Sequence, residues 1–306
     1  MYNSAFRHEV LQHLTALRAR WPDGGLYLLY VPGEADPLHV LVGHPRVQAV
    51  ARSGADEPAD AFLPRVIALD CRKVASYLLE TDAALDDPLL EASIALAAEG
   101  TQGHAVCGWI ASPDDASAIA RRLGQAARQF DPGAHRMVRM RLHDPRVVSH
   151  LWPQLPQAQR GALLGEHLAW VAVGATGQVV VFDAQEADKT VETMSHATQW
   201  ERVHHVGMVN RLLELWRQRL QASGQALPED AVDLLHAHAV QASHHGLDGR
   251  DAQTYVLLAV GLRHGFEHDA DWRAAVQAAG EAPGTLEDHT AALPDLFWQR
   301  FANAGI

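Results

Sequence analysis

A chain of 306 residues that is 48% hydrophobic is long enough to bury a large core without disulfide or metal support. Its formal charge of -12 opposes the counterion release that drives nucleic-acid binding and disfavours acidic membrane surfaces, so nucleic acid and membrane are set aside as partners. Two cysteines, no basic-then-apolar leader and no apolar stretch of bilayer length predict a cytoplasmic protein.

In chain order, Phe6, Val10, Leu14 and Leu17 recur at helical spacing and predict an opening helix closed near Trp21-Pro22. Gly24-Gly25 then releases the chain into an apolar run over 26–31, read as a buried strand, with a weaker strand over 65–69. Asp87-Pro88 has the form of a helix start, a carboxylate to cap open amides and a proline that loses nothing in the first turn. A strand is expected over 105–110, where Cys107 reads as a small buried hydrophobe. Ser112-Pro113-Asp114-Asp115 repeats the helix start, and Ile119, Leu123, Ala127 and Phe130 supply an apolar stripe that should end at Asp131-Pro132-Gly133.

Met137, Arg139 and Arg141 alternate with Val138, Met140 and Leu142, so this strand should turn one side to a core and carry a polar row on the other. Asp144-Pro145 predicts a further capped helix with Val147, Val148, Leu151 and Trp152 inward, stopped by Pro153. Residues 168–173 and 178–182 flank Gly174-Ala175-Thr176-Gly177 and predict a hairpin. A polar, acidic stretch over 184–195 reads as a linker. Beyond it the pattern is helical only: Val209, Leu212, Leu213, Trp216 and Leu220; then Leu234, Leu235 and Ala239; then Tyr255, Leu258, Ala259, Leu262 and Phe266; and a last helix capped at Thr285 that runs toward Phe297, Trp298 and Phe301. The expected architecture is an α/β (α+β) N-terminal domain with a mixed sheet over 1–185, and an all-helical C-terminal lobe over 196–306.

Catalytic motifs are missing from the sequence. There is no Gly-rich phosphate cradle, no Gly-x-Ser-x-Gly elbow and no cysteine in an activating context. The 19 histidines include His264 and His268 at helical spacing, and His204-His205, His236, His238 and His244-His245 nearby, but no His-Glu-x-x-His or cysteine pair completes a ligand set. We therefore expect no enzyme, no catalytic residue, no metal and no cofactor. His143-Asp144 is read as a cap with its neighbour, not a proton-transfer pair. Trp109 and Trp170, inside apolar strands, read as core; Trp272 and Trp298, near charged or loop residues, are the candidate partner-binding tryptophans.

The stretch Arg141-Leu142-His143-Asp144-Pro145-Arg146-Val147-Val148, followed by Leu151-Trp152-Pro153-Gln154-Leu155, Gln159, Leu163-Leu164-Gly165 and Trp170, resembles the signature of the Tap or Tec adaptor chaperones of type VI secretion. Upstream, the strand after Gly25, Phe62-Leu63-Pro64-Arg65-Val66, Asp87-Pro88-Leu89-Leu90 and Trp109-Ile110-Ala111-Ser112 fall in the same order, so the resemblance spans about 26–182. His143 stands where the family usually has an aromatic residue, and Glu166 where proline is common. The resemblance implies a protein that binds a toxic effector through its N-terminal or loading region and loads it onto the VgrG spike, with Arg141, Asp144, Pro145, Arg146, Leu151, Gly165 and Trp170 as structural or interface residues. An immunity protein that neutralises a toxin is the alternative, and a metal-dependent hydrolase a more distant one.

Overall fold

The structure is a computed structural model that describes residues 4–30, 67–71, 74–81, 88–99, 106–184, 197–222 and 224–302. Contacts divide the chain into two compact units, Met1–Trp200 and Glu201–Ile306. The expected cap at Asp87, the stretch Phe62-Leu63-Pro64-Arg65-Val66 and nearly all of the stretch 184–195 lie outside the described residues.

The first unit is α+β. Its elements are helix α1 (Ser4–Arg20), strands β1 (Gly25–Tyr30), β2 (Ile67–Cys71) and β3 (Val74–Thr81), helix α2 (Pro88–Glu99), strand β4 (Val106–Ser112), helix α3 (Ala116–Ala126), strands β5 (Arg128–Asp131) and β6 (Arg136–Arg139), helices α4 (Pro145–Leu151) and α5 (Gln157–Leu164), and strands β7 (Ala169–Val173) and β8 (Val179–Asp183). Six strands form one sheet in the order β2-β3-β1-β4-β7-β8, while β5 and β6 pair apart as a two-stranded ribbon. Every described pairing is antiparallel, which corrects the expected mixed sheet. The physical reason lies in the order: β3 and β4 run the same way, but β1 lies between them and opposes both.

Alternation along the strands sorts side chains onto two buried faces. Leu28, Trp109 and Val171 stand in one cross-strand row and join Val10, Leu14 and Leu17 of α1 and Leu90 and Ile94 of α2 in a single core cluster. Within it the Trp109 indole N–H donates to Ser93 Oγ at 2.8 Å, so a large buried ring keeps its polar atom satisfied. Tyr27, Ile110, Trp170 and Phe182 form the row on the opposite face. There Phe182 lies between the Trp152 and Trp170 rings, with centroids 5.4 and 5.1 Å away. The whole of β4 is buried, as a strand covered on both faces must be.

One helix was misread. The stripe through Phe130 predicts a helix to Asp131, yet α3 ends at Ala126 and Arg128–Asp131 is strand β5. Gln129 Nε2 donates to the Ala126 carbonyl and Met140 N to the Ala127 carbonyl, each at 2.8 Å, which fastens the chain as it leaves the helix. The helix starts fare better: Asp115 accepts from Ala118 N at 2.7 Å, as its sequence predicts.

The second unit is helical: α6 (Ala197–Ala222, whose first residues belong to the first unit), α7 (Ala231–His244), α8 (Gly249–Ala259), α9 (Ala270–Glu281), α10 (Leu286–Ala291) and α11 (Asp295–Phe301). Three expectations are corrected. The helix through Phe266 stops at Ala259, and the chain then turns through Gly265 at φ 97. The last helix is two, α10 and α11, divided before Pro294. Trp272, expected near charged or loop residues, has charged neighbours but sits in helix α9, which Asp269 caps by accepting from Asp271 N at 3.0 Å. No helix among the described residues is long and apolar enough to cross a membrane.

Candidate functional site

Asp144 and its two arginines form the polar centre of the segment that carries the family resemblance. Asp144 is the N-cap of α4 with Pro145 at the first helical position, where a missing N–H leaves nothing unsatisfied. Its Oδ1 accepts from the Arg146 backbone N–H at 3.1 Å and from Arg146 Nε at 2.9 Å; its Oδ2 accepts from Arg146 Nη2 at 2.8 Å and lies 3.2 Å from Arg141 Nη2. The carboxylate is buried, whereas Arg141 is 60% exposed at the side chain. Burial alone would raise the Asp144 carboxyl, but the hydrogen bonds and charge of Arg146 and the charge of Arg141 outweigh it and hold the group below its usual range.

Two further groups take their properties from this centre. His143 is buried, and its Nδ1 has no hydrogen-bond partner among the described residues. Burial, with Arg141 adding to it and Asp144 opposing, lowers its pKa to about 4, so the ring is neutral near pH 7. Burial, with the Asp144 carboxylate acting in the same direction against Arg146 and Arg141, pushes the Cys107 thiol far above its usual range. A protonated, enclosed thiol is a poor nucleophile, in keeping with the expected packing role.

The remaining motif residues hold the frame around this centre. Leu151 is in the core, and Trp170 is fully enclosed with its indole N–H donating to the Cys107 carbonyl at 3.0 Å. That bond requires a glycine next door: Gly108 has φ 127, and a Cβ there would stand 2.5 Å from Trp170 Nε1 and 2.4 Å from the Val171 carbonyl oxygen. The β1–β4 register shifts at this point, leaving Cys107 as the extra residue of a bulge. Gly165 ends α5 at φ 79, where a Cβ would lie 2.7 Å from Arg122 Nε; the Arg122 guanidinium in turn pairs with Asp114 at 3.0 Å. The seven motif residues thus run along the first unit from just beyond β6 through α4 and the end of α5 into β7.

The two candidate tryptophans of the second unit differ. Trp272 is 1% exposed, with Tyr255, Phe266 and Phe297 around it at centroid distances of 5.6, 5.0 and 6.0 Å. It is a core residue, because the α9 cap turns it inward, and this corrects its reading as a surface anchor. Trp298 is half-buried and packs edge-on against Phe297 at 5.2 Å. His264 and His268 share no α-helix; His264 Nδ1 lies 3.3 Å from Glu267 Oε1. Among the described residues no group of three or more His, Cys, Asp or Glu side chains is placed to hold a metal ion.

The sequence reading expected the strand through Met137 and Arg139 but missed β5 and the ribbon the two make, where Phe130 stands opposite Met137 and Arg128 opposite Arg139. A signal was present: Asp131-Pro132-Gly133 is turn chemistry, and short alternating segments flank it.

A family model described as a domain of unknown function (DUF4123) matches residues 55–162. The match takes in β2 to α4 and most of α5, and with them Arg141, Asp144, Pro145, Arg146 and Leu151, and ends short of Gly165 and Trp170. No curated protein matches the chain, and no solved structure matches it.

Proposed function

We propose that this protein is an adaptor chaperone of a type VI secretion system, a Tap or Tec relative that holds a cognate effector by its loading region and delivers it to the VgrG spike. It acts in the cytoplasm, by binding and not by turnover. The observation that carries this reading is the fold of the residues that resemble that family: Arg141 to Trp170 run through a turn after β6, the Asp144-capped helix α4, helix α5 and the start of β7, with Asp144 held by Arg146 and the Trp170 indole held by the Cys107 carbonyl. The overlap of the DUF4123 match with this segment supports it further. Specificity would rest on contacts burying about 800 Å² per partner.

The test is co-expression of the chain with the effector and spike proteins encoded beside it, followed by co-purification with full-length and truncated effector. The expected result is a complex that keeps the loading region of the effector and leaves its toxic activity intact. Binding to the toxic domain with inhibition would make the protein an immunity protein instead. Association with neither effector nor spike would overturn the proposal.

A further inference from the structure

We infer that the outer edge of β8 is a docking site for an extended apolar segment of a protein partner, which joins the six-stranded sheet as a further strand. β8 is the end strand of that sheet, with β7 on one side only. The hairpin sets the phase of their ladder, because Gly174 N donates to the Gln178 carbonyl at 2.9 Å. Bonded pairs alternate in an antiparallel ladder, so Ala172 with Val180 and Trp170 with Phe182 use their main-chain groups on each other, while Val179 and Val181 turn theirs to the open side. Those N–H and C=O groups have no hydrogen-bond partner among the described residues.

The edge is also undefended. Natural sheets blunt an end strand with lysine, proline, a bulge or a covering element. At the opposite end of this sheet the β2–β3 register shifts, whereas the β7–β8 register is unbroken from Ala169–Asp183 to Val173–Val179. β8 reads Val-Val-Val-Phe-Asp, and its one charge, Asp183, is answered by Arg20 at 2.7 Å. What such an edge lacks is a row of main-chain donors and acceptors at strand spacing, and only another extended backbone supplies one. The flanking side chains define the occupant further. Val179 and Val181 pack at the rim of the core cluster that includes α1, Val180 shares a face with Phe182 of the aromatic row, and all three valines are partly exposed. The fitting segment is therefore about five residues long, aliphatic or β-branched on both faces, uncharged and free of proline. A second copy of this chain is the poorer occupant, since each copy carries a net charge of -12 and repels the other. A β8–β8 contact would also have to carry a whole dimer interface, about 800 Å² per partner, on two outward residues per copy, whereas an effector or spike segment adds to contacts made elsewhere.

The inference rests on the adaptor reading for the source of the segment, and its test keeps the two apart. Overlapping peptides tiling the effector and spike proteins encoded beside the chain are presented to the full-length protein; the expected ligand is an extended aliphatic segment whose affinity changes little with salt. Main-chain pairing leaves two signatures. Methylating the amide nitrogens of that peptide one at a time should weaken binding roughly ten-fold at every second residue and little at those between. Hydrogen exchange at the Val179 and Val181 amides should slow on binding, while Val180 and Phe182 stay as protected as before. Val181→Pro removes one outward N–H without touching the β7 ladder and should weaken binding by a similar factor. Should that variant lose its fold, the methylation and exchange patterns, both read on the wild type, decide the matter. Losses at consecutive peptide residues, unchanged exchange at Val179 and Val181, no ligand among the peptides, or a dimer whose formation protects the same two amides would overturn the inference. Full-length effector and spike retained equally by wild type and folded Val181→Pro would refute the edge and leave the adaptor role standing.

Discussion

Both oxygens of Asp144 are engaged, one by a helix-end amide and a guanidinium N–H, the other by guanidinium groups from Arg146 and Arg141. Asp144→Ala removes a cap, about 1 kcal/mol, and charged hydrogen bonds whose arginines reach solvent and are worth less for it, so a loss of about 2 kcal/mol is expected in urea denaturation. Asp144→Asn keeps an acceptor for the amide and should cost about half as much. Because the folded carboxyl is held below its ordinary value, its contribution is complete above about pH 3.9 and disappears only as pH falls through the lower folded value. His143 acts in a higher window. Its folded pKa of about 4 lies below the unfolded 6.5, so the unfolded chain binds more protons between those values and stability falls as pH drops through them, by about 3 kcal/mol in all. His143→Phe, which restores the aromatic residue usual at this place in the resembling family, should flatten the stability curve between pH 6.5 and 4 relative to wild type. An unchanged slope in denaturation series across that range would refute a buried neutral imidazole.

At the scale of elements, the second unit caps one helix from another. Asp251 of α8 is buried and accepts from the backbone N–H groups of Gly284 and Leu286, the latter at 3.1 Å, at the entrance of α10. Thr285, expected to cap that helix, instead donates its hydroxyl to the Ala282 carbonyl at 2.7 Å. Asp251→Ala should therefore cost about 2 kcal/mol, and hydrogen exchange should speed up at the Gly284 and Leu286 amides before the rest of the unit. Elements with local causes were legible: Asp115 and Asp144 sit one residue before their helices, and Met140 and Leu142 are buried in alternation with exposed Arg139 and Arg141, although the strand expected to run to Leu142 ends at Arg139. Elements decided by distant partners were not. Phe130 stands at helical spacing from Ala127, but Met137 across the ribbon decides its conformation; the α10 cap lies more than thirty residues upstream of the helix it serves. Asp269 was a local signal that went unused, since Trp272, Ala275, Val276 and Ala279 follow it at helical intervals and all are buried.

For the whole molecule, the motif centre and the open β8 edge lie in the first unit, and the second is a helical body with an aromatic core. On the proposed adaptor reading, if the helical portion sets effector choice, replacing residues 196–306 with those of a Tap or Tec protein should redirect which effector co-purifies and leave spike association as it was. Effector choice that stays with the first unit would refute that division. The candidate site was legible as a motif and not as a surface: Arg141, Asp144 and Arg146 could be named from their order along the chain, but the strand order that leaves β8 at the end of the sheet exists only after folding.

The position of β1 in the sheet bears on how the chain is made. This apolar strand ends at Tyr30, yet its two neighbours begin only at Val74 and Val106. Leu26, Leu28 and Leu29 therefore leave the ribosome long before either hydrogen-bonding edge of β1 has anything to join, and synthesis proceeds with the future middle of the sheet unsheltered. A protein proposed to escort others has, in its own biogenesis, an interval during which it would itself be a client.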